Sequence, residues 1–300
     1  MNCLIAFAKG KLRLAIKGGM PMKFGFIGAG KVGFSLGKYL ADNNQTVVGY
    51  YSEFKEDATQ AAEFTGSDSY SQLEPIVKDS DVLFLTVPDG LIETVWNQIK
   101  EIDISGKIIC HTSGALSSEV FSDISKRGGF GFSIHPLFAV SDKYHSYKEL
   151  SGSYFTIEGS KEKIEDMKTL FESFGNKVCI IAKEDKVKYH GAAAIASNLV
   201  VGLIGLSEQL LVECGFDKES AHNALSPIIK GNVQHIINDG CEKALTGPIE
   251  RNDIETVKKH LAVLEENSRV VYQAVSRQVL DIAKMKNKDR DYSKMEDILK

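Results

Sequence analysis

The sequence predicts the α/β fold class, with a parallel-sheet domain of alternating strands and helices followed by an all-helical C-terminal domain. Three observations predict it. Short apolar strand-like runs alternate with helical periodicity up to about Ile181, a glycine-rich turn joins the first strand to the first helix, and from about Glu184 onward nearly everything reads as helix. A chain of 300 residues suits two domains, read here as 22–182 and 183–300. Hydrophobic residues at 43% and charged residues at 25% describe an ordinary globular composition. With 36 basic against 40 acidic residues, no bulk charge recruits nucleic acid or a membrane surface.

The elements follow in order. Lys23–Ile27 is a short apolar strand, and Val32, Leu36, Tyr39 and Leu40 then repeat at helical spacing. Thr46–Tyr51 is the second strand, and Glu56–Phe64 is a helix ended by Gly66. Asp81–Val87 is a continuous apolar run stopped by Pro88, as expected of a central strand buried on both faces. Lys107–Cys110, Gly131–Ile134 and Tyr154–Ile157 complete the predicted sheet. Beyond it, Lys186–Cys214 is apolar nearly all round and rich in Ala and Gly, which marks a helix packed closely on several sides. Breaks fall near Gly215, Gly240 and Gly247-Pro248. The last predicted helix, Asp253–Lys286, is long enough to suggest packing against a second subunit.

Residues 1–21 read as an upstream extension, because Met22 opens directly into the first strand. Their apolar run Cys3–Ala8 is too short for a signal-peptide core and precedes the charges at Lys9, Lys11, Arg13 and Lys17. No stretch of the sequence is read as long enough to span a bilayer. The five cysteines are odd in number and scattered, without a CxxC or Cys/His cluster, so neither a disulfide framework nor a metal site is expected. A reducing, cytoplasmic setting is the simplest expectation.

The run Gly28-Ala29-Gly30-Lys31-Val32-Gly33 is a GxGxxG fingerprint between a predicted strand and a predicted helix. Gly28 permits the tight turn, Gly30 lets the backbone approach a pyrophosphate, and Gly33 allows close helix–strand packing. The helix N-terminus would then offer free N–H groups to the phosphates. This is the Rossmann arrangement for a nicotinamide dinucleotide, and Val87 and Pro88 end a neighbouring strand on the ligand side. The end of the second strand reads Tyr51-Ser52-Glu53-Phe54-Lys55. Ser52 in place of the NAD-type acid, with Lys55 as a substitute for an arginine, favours NADP(H), whereas Glu53 argues against it.

Two histidine-bearing runs, His111–Gly114 and Ser133–Leu137, also fall at predicted strand ends. Each histidine alone is more commonly structural; together, beside hydroxylated residues, they suggest a pocket using Ser113 and His135. Lys186 and His190 are spaced i,i+4 on one helix, with Ser197 and Asn198 near one further turn. The bland alternative is a solvated Lys/His start of a buried helix. In the run Ala244–Asp253, Asn252 or Asp253 caps the last helix, and Arg251 is either part of that turn or a clamp for a substrate carboxylate.

With these runs in place, the chain resembles the bacterial Rossmann-like proteins joined to a helical C-terminal domain of unknown function. They belong to the superfamily of 6-phosphogluconate dehydrogenase, pyrroline-5-carboxylate reductase and ketopantoate reductase. The resemblance rests on Gly28–Gly33, His111–Gly114, Ser133–Leu137, Tyr189–Asn198 and Ala244–Asp253. It departs at Glu53, where an arginine is usual, and at Asn252, where the usual run is Arg-Gly-Asp. The resemblance implies an NAD(P)H-dependent oxidoreductase of small 2-oxo acids, with 2-dehydropantoate reduction in pantothenate synthesis as its most concrete form, and a homodimer through the helical domain. Lys186, His190 and Asn198 are then the candidate catalytic groups, and Ser113, His135 and Arg251 the candidate substrate-binding groups. Prephenate-dehydrogenase-like or pyrroline-5-carboxylate-reductase-like chemistry, or a silent NAD(P) sensor, are the alternatives.

Overall fold

A computed structural model describes residues 22–300, so the predicted extension 1–21 lies outside the described residues. These residues fall into two compact units, 22–195 and 196–300. The helix that carries Lys186 and His190 is thereby grouped with the sheet.

The first unit is an eight-stranded sheet of order β3-β2-β1-β4-β5-β6-β7-β8. Its strands are β1 (Lys23–Ile27), β2 (Thr46–Tyr51), β3 (Asp68–Tyr70), β4 (Val82–Leu85), β5 (Ile108–His111), β6 (Phe130–Pro136), β7 (Tyr154–Gly159) and β8 (Lys177–Ile180). Helices α1 (Lys31–Asp42), α2 (Lys55–Thr65), α3 (Leu73–Asp79), α4 (Asp89–Ile99) and α5 (Ile164–Ser173) connect them, and α6 (Lys186–Ala196) follows β8. Strands β1 to β6 are parallel, in the doubly wound order whose reversal point lies between β1 and β4. The sheet is not parallel throughout, as predicted: β7 pairs antiparallel to β6, and β8 follows β7. Strand direction leaves no mark on an apolar run, which explains the discrepancy.

Period-two alternation builds the core. Phe24 and Phe26 of β1 and Val82 and Phe84 of β4 join one buried cluster, while Ile27, Leu83 and Leu85 join the cluster on the opposite face. Phe26 stacks between Tyr50 and Phe84 at centroid distances of 5.1 and 5.5 Å. Both faces are covered by helices, so the central strands are held without an exposed side, and the ends that carry the loops are fixed.

The second unit contains α7 (Asn198–Glu213), α8 (Lys218–Ala244), α9 (Ile254–Val263), α10 (Glu266–Lys286) and α11 (Ser293–Leu299). Its buried cluster gathers Ile249, Val257, Leu280, Tyr292, Met295 and Leu299. The single long terminal helix expected from Asp253 to Lys286 is in fact two. Leu264 is extended (φ −75°, ψ 134°) and Glu265 starts a new helix. No Gly or Pro marks this break; the turn carries Leu264 into an apolar recess of about 400 Å³ beside Leu206, Leu210, Val271 and Val275.

The expected tight packing of the Lys186–Cys214 stretch is not found among the described residues: Val187 is 72% and Val201 71% exposed. The run Lys183–Glu213 is also long and apolar enough to cross a membrane, with a mean hydropathy of 1.6 in its most apolar window. That corrects the expectation that no stretch reaches this length.

Candidate active site

The glycine loop is pinned from both sides. Gly28 N–H donates to the Tyr51 carbonyl at 2.8 Å, and Thr86 Oγ1 donates to the Gly28 carbonyl at 2.7 Å. Gly28 has φ +102°, and a Cβ there would lie 2.7 Å from the Thr86 carbonyl oxygen, so only glycine fits. A Cβ on Gly33 would strike Thr86 Oγ1 and the Gly28 carbonyl, which shows how closely α1 packs on the sheet. Gly30 differs from both: a Cβ there meets nothing within 4 Å. Its side faces open space at the start of α1, whose N-terminus no side chain caps. The amides of the first turn, from Lys31 and Val32 onward, are thus left for an outside acceptor. Ala29, buried at 3% exposure, anchors the loop beneath. This arrangement fits a pyrophosphate.

Beyond β2, Ser52 precedes α2, and Lys55 is that helix's first residue. Glu56 and Asp57 occupy its first turn and Phe54 stands 64% exposed at its cap. With Glu53 alongside, three carboxylates share the neighbourhood of Ser52 and Lys55. At the end of β4, Val87 leads to Pro88, the cap residue of α4.

A buried polar network fills the adjacent strand ends. Lys186 is 1% exposed, and its ammonium donates to the Ser113 carbonyl at 2.9 Å and to Ser133 Oγ at 2.6 Å. Burial lowers its pKa to about 8, against the pull of the Glu158 and Asp89 carboxylates. Glu158, opposite Ser133 across β6 and β7, is itself held by the Ser118 amide and hydroxyl, each at 2.7 Å. Ser113 Oγ donates to Asp89 Oδ2 at 2.6 Å and accepts the amides of Ala115 and Leu116. Since a hydroxyl has one proton and two lone pairs, Ser113 is fully used in shaping its loop.

The two histidines have different fates. His111 is wholly buried; its Nδ1 accepts the Ser113 amide at 3.2 Å, which leaves Nε2–H to donate to the Ser117 carbonyl at 3.1 Å. Burial pushes its pKa down to about 4, and it is structural. His135 is half-buried, and its Nδ1 lies 2.7 Å from the Tyr189 hydroxyl. Burial, then the neighbouring Lys186 and His190, lower His135 to about 4. His190 is exposed, with its ring 6.4 Å from that of His135. Both rings border Gly114: a Cβ on that residue would sit 2.5 Å from His190 Nδ1 and 3.1 Å from His135 Nε2.

The structure therefore brings Lys186, Ser113, His135 and His190 together. It also adds Asp89, Ser133 and Tyr189, for which no role of their own was expected. Tyr189 stands at i+3 from Lys186, the one signal that placed it on the Lys186 side of α6. Asn198 and Arg251 belong to the second unit. Asn198 is the exposed first residue of α7, and Arg251 lies exposed on the turn before α9. That turn is capped by Asp253, which accepts the Thr256 amide at 3.1 Å. Asn252 sits at φ +60°, a left-handed backbone that asparagine tolerates better than most side chains. Among the described residues no group of three or more His, Cys, Asp or Glu side chains could hold a metal ion.

The doubly wound sheet, with its glycine loop at the reversal point, defines a Rossmann-type protein. Family models match a Rossmann-like domain over residues 16–136 and a domain of unknown function, DUF2520, over 153–279. The chain thus matches a Rossmann-like domain in its first part and a DUF2520 domain in its second. It is 24% identical over 221 residues to the Bacillus subtilis protein named "Putative 6-phosphogluconate dehydrogenase YqeC", covering 73% of this chain and 71% of that one. Protein TM1727 of Thermotoga maritima superposes with a TM-score of 0.69 at 26% identity, covering 88% of this chain and 99% of the other. A pyrroline-5-carboxylate reductase of Coxiella burnetii shares the fold with a TM-score of 0.59 at 14% identity, over 89% of this chain and 98% of its own. A reductive aminase of Aspergillus terreus, solved with NADPH, does so at 0.61 and 13%, over 90% of this chain and 100% of its own.

Proposed function

We propose that the protein is an NAD(P)H-dependent oxidoreductase that reduces the carbonyl of a small 2-oxo acid, with 2-dehydropantoate as the first substrate to test. One observation carries this reading. Strands β1, β4, β5 and β6 are parallel, so the open glycine loop, the Val87-Pro88 end and the residues around Gly114 line one edge of the sheet. Ligands bind at that edge, beside the reversal point.

A bound dihydronicotinamide would supply the hydride. The loop amides from Ala29 to Val32 hold the pyrophosphate, and Ser52 and Lys55 receive the ribose end. Their character places NADPH ahead of NADH, while Glu53, Glu56 and Asp57 pull the other way. His135 and His190 face the acceptor oxygen. Lys186, beneath the Ser113 carbonyl, contributes a positive field where negative charge develops. The free thiols of Cys110, Cys179, Cys214 and Cys241 suit the cytoplasm, where such reductions draw on reduced nucleotide.

A second reading, reduction of a cyclic imine such as 1-pyrroline-5-carboxylate, is favoured by the fold neighbours that bear that name. The test is direct. Purified protein is mixed with NADPH or NADH and a panel containing 2-dehydropantoate, other 2-oxo acids and the imine, and loss of the reduced nucleotide is followed. Turnover of 2-dehydropantoate, with rescue of a pantothenate auxotroph lacking ketopantoate reductase, supports the first reading. Turnover of the imine alone replaces it with the second, and nucleotide binding without any turnover leaves a sensor.

We also propose that it works as a homodimer through its helical unit. Val201 on α7, Ile237 on α8 and Val270 on α10 are 71%, 71% and 59% exposed, apolar surface that a second copy would cover. Sedimentation equilibrium should return twice the chain mass at micromolar concentration; a monomer would refute the dimer.

A further inference from the structure

We infer that Tyr189 is a positioning residue that holds His135 as its Nε2–H tautomer, so that this ring offers a donor rather than a lone pair to the acceptor oxygen at the edge of the sheet that carries Gly114. The inference deepens the reductase reading and rests on it. The Tyr189 hydroxyl and His135 Nδ1 are 2.7 Å apart, with the rings edge-to-face at 85°. A phenol is the stronger donor of the two and an imidazole nitrogen the stronger acceptor, so the tyrosine proton points to Nδ1. In a neutral ring the remaining proton is then on Nε2. His135 is kept neutral by its burial and by the nearby Lys186 and His190 charges.

The helix makes this aim reliable. Lys186 anchors α6 through its bonds to Ser113 and Ser133, and the Tyr189 ring lies 5.8 Å from the same ammonium, one turn along. Gly114 is buried, and the point a Cβ would occupy is within 3.1 Å of His135 Nε2 and 2.5 Å of His190 Nδ1. Any side chain at this residue would strike the rings, so both pack directly on its backbone. An electron-rich oxygen, carbonyl in the substrate and alkoxide as it is reduced, is the class of group that an Nε2–H at this edge of the sheet would meet.

His135 acts there without losing its proton, since a neutral imidazole that gave up Nε2–H would become an anion. A bound reduced nicotinamide would supply the hydride, with its electron pair, to the carbonyl carbon. The carbon–oxygen π pair moves onto the oxygen, which accepts the Nε2–H of His135. The proton that completes the alcohol comes from solvent or from His190 when that ring is protonated. Substrate becomes alcohol and the nucleotide ends oxidised.

The experiment is long-range ¹H–¹⁵N NMR on the full chain labelled at histidine, with His135 identified by its loss in His135→Asn. Wild-type His135 should show a protonated Nε2 and a bare Nδ1 at neutral pH, and Tyr189→Phe should convert it to a mixture of tautomers. The same variant should lower kcat about tenfold, less than deletion of an oxyanion donor, with the nucleotide Kd unchanged. A wild-type proton on Nδ1, or a tautomer indifferent to Tyr189→Phe, overturns the inference. The NMR readout needs no substrate, so it stands or falls separately from the reductase reading.

Discussion

Gly30→Val should abolish dinucleotide binding while the protein stays folded. Gly30 has an extended backbone (φ −70°, ψ −177°) that any residue adopts, and a side chain there meets no protein atom. Replacing glycine at a helix cap by valine costs under about 1 kcal/mol, so Tm should fall by no more than about 4 °C. The isopropyl group, however, fills the space through which a pyrophosphate must approach the first-turn amides. Calorimetric titration should show NADPH binding weakened at least about a hundredfold, about 2.7 kcal/mol in binding free energy. Wild-type affinity in a folded Gly30→Val protein would remove the phosphates from this loop. Gly28→Ala is a poorer test, because φ +102° and the Thr86 carbonyl make it a folding defect first.

Lys186→Met should separate function from stability. The ammonium is buried, donates to two oxygens and is lowered to about 8 by desolvation. Replacing a buried charge by an apolar side chain of similar volume is often neutral or stabilising, by about 1–4 kcal/mol. Ser133 Oγ still reaches the Ser113 carbonyl at 3.2 Å, so that carbonyl keeps a donor. The variant should therefore melt no lower than wild type at pH 7, while kcat/KM falls about a hundredfold, as when one transition-state donor is removed. The pH dependence is specific. Folded wild type sheds this proton above pH 8, whereas the unfolded chain keeps it until about 10.5. Unfolding in that window takes up a proton, so the lysine's contribution to stability rises with pH from 8 upward and is least below 8. The Tm advantage of Lys186→Met should accordingly shrink from pH 7 to pH 10. A large Tm loss at pH 7, or a difference independent of pH, would show that Lys186 acts mainly as a structural tie.

The parts legible in the sequence are those whose physics is local. Each glycine of Gly28–Gly33 answers a separate backbone need within a few residues, so the loop could be read with the strand and helix on either side. The apolar run at Asp81–Val87 likewise announced a strand covered on both faces. Direction and partnership were not legible. Nothing in Tyr154–Gly159 says that β7 runs against β6, and the polar three-residue β3 carries no apolar signal at all. The break at Leu264–Glu265 lacks Gly or Pro and exists to turn Leu264 inward.

The candidate site was half legible for the same reason. The i,i+4 spacing put Lys186 and His190 on one helix face, yet Lys186 is buried and His190 exposed. What decides this is a set of partners far away in sequence: Ser113 and Ser133 for Lys186, and Gly114 and His135 for His190. Tyr189, lost in an otherwise small and apolar run, acquires its role only once β6 delivers His135 to it.

The most direct measurement is amide hydrogen exchange on the native chain with and without saturating NADPH, read peptide by peptide. Exchange should slow over residues 28–34, at the start of α1, with smaller protection at 52–56 and 86–90. Unchanged exchange at 28–34 in the presence of bound nucleotide would contradict it.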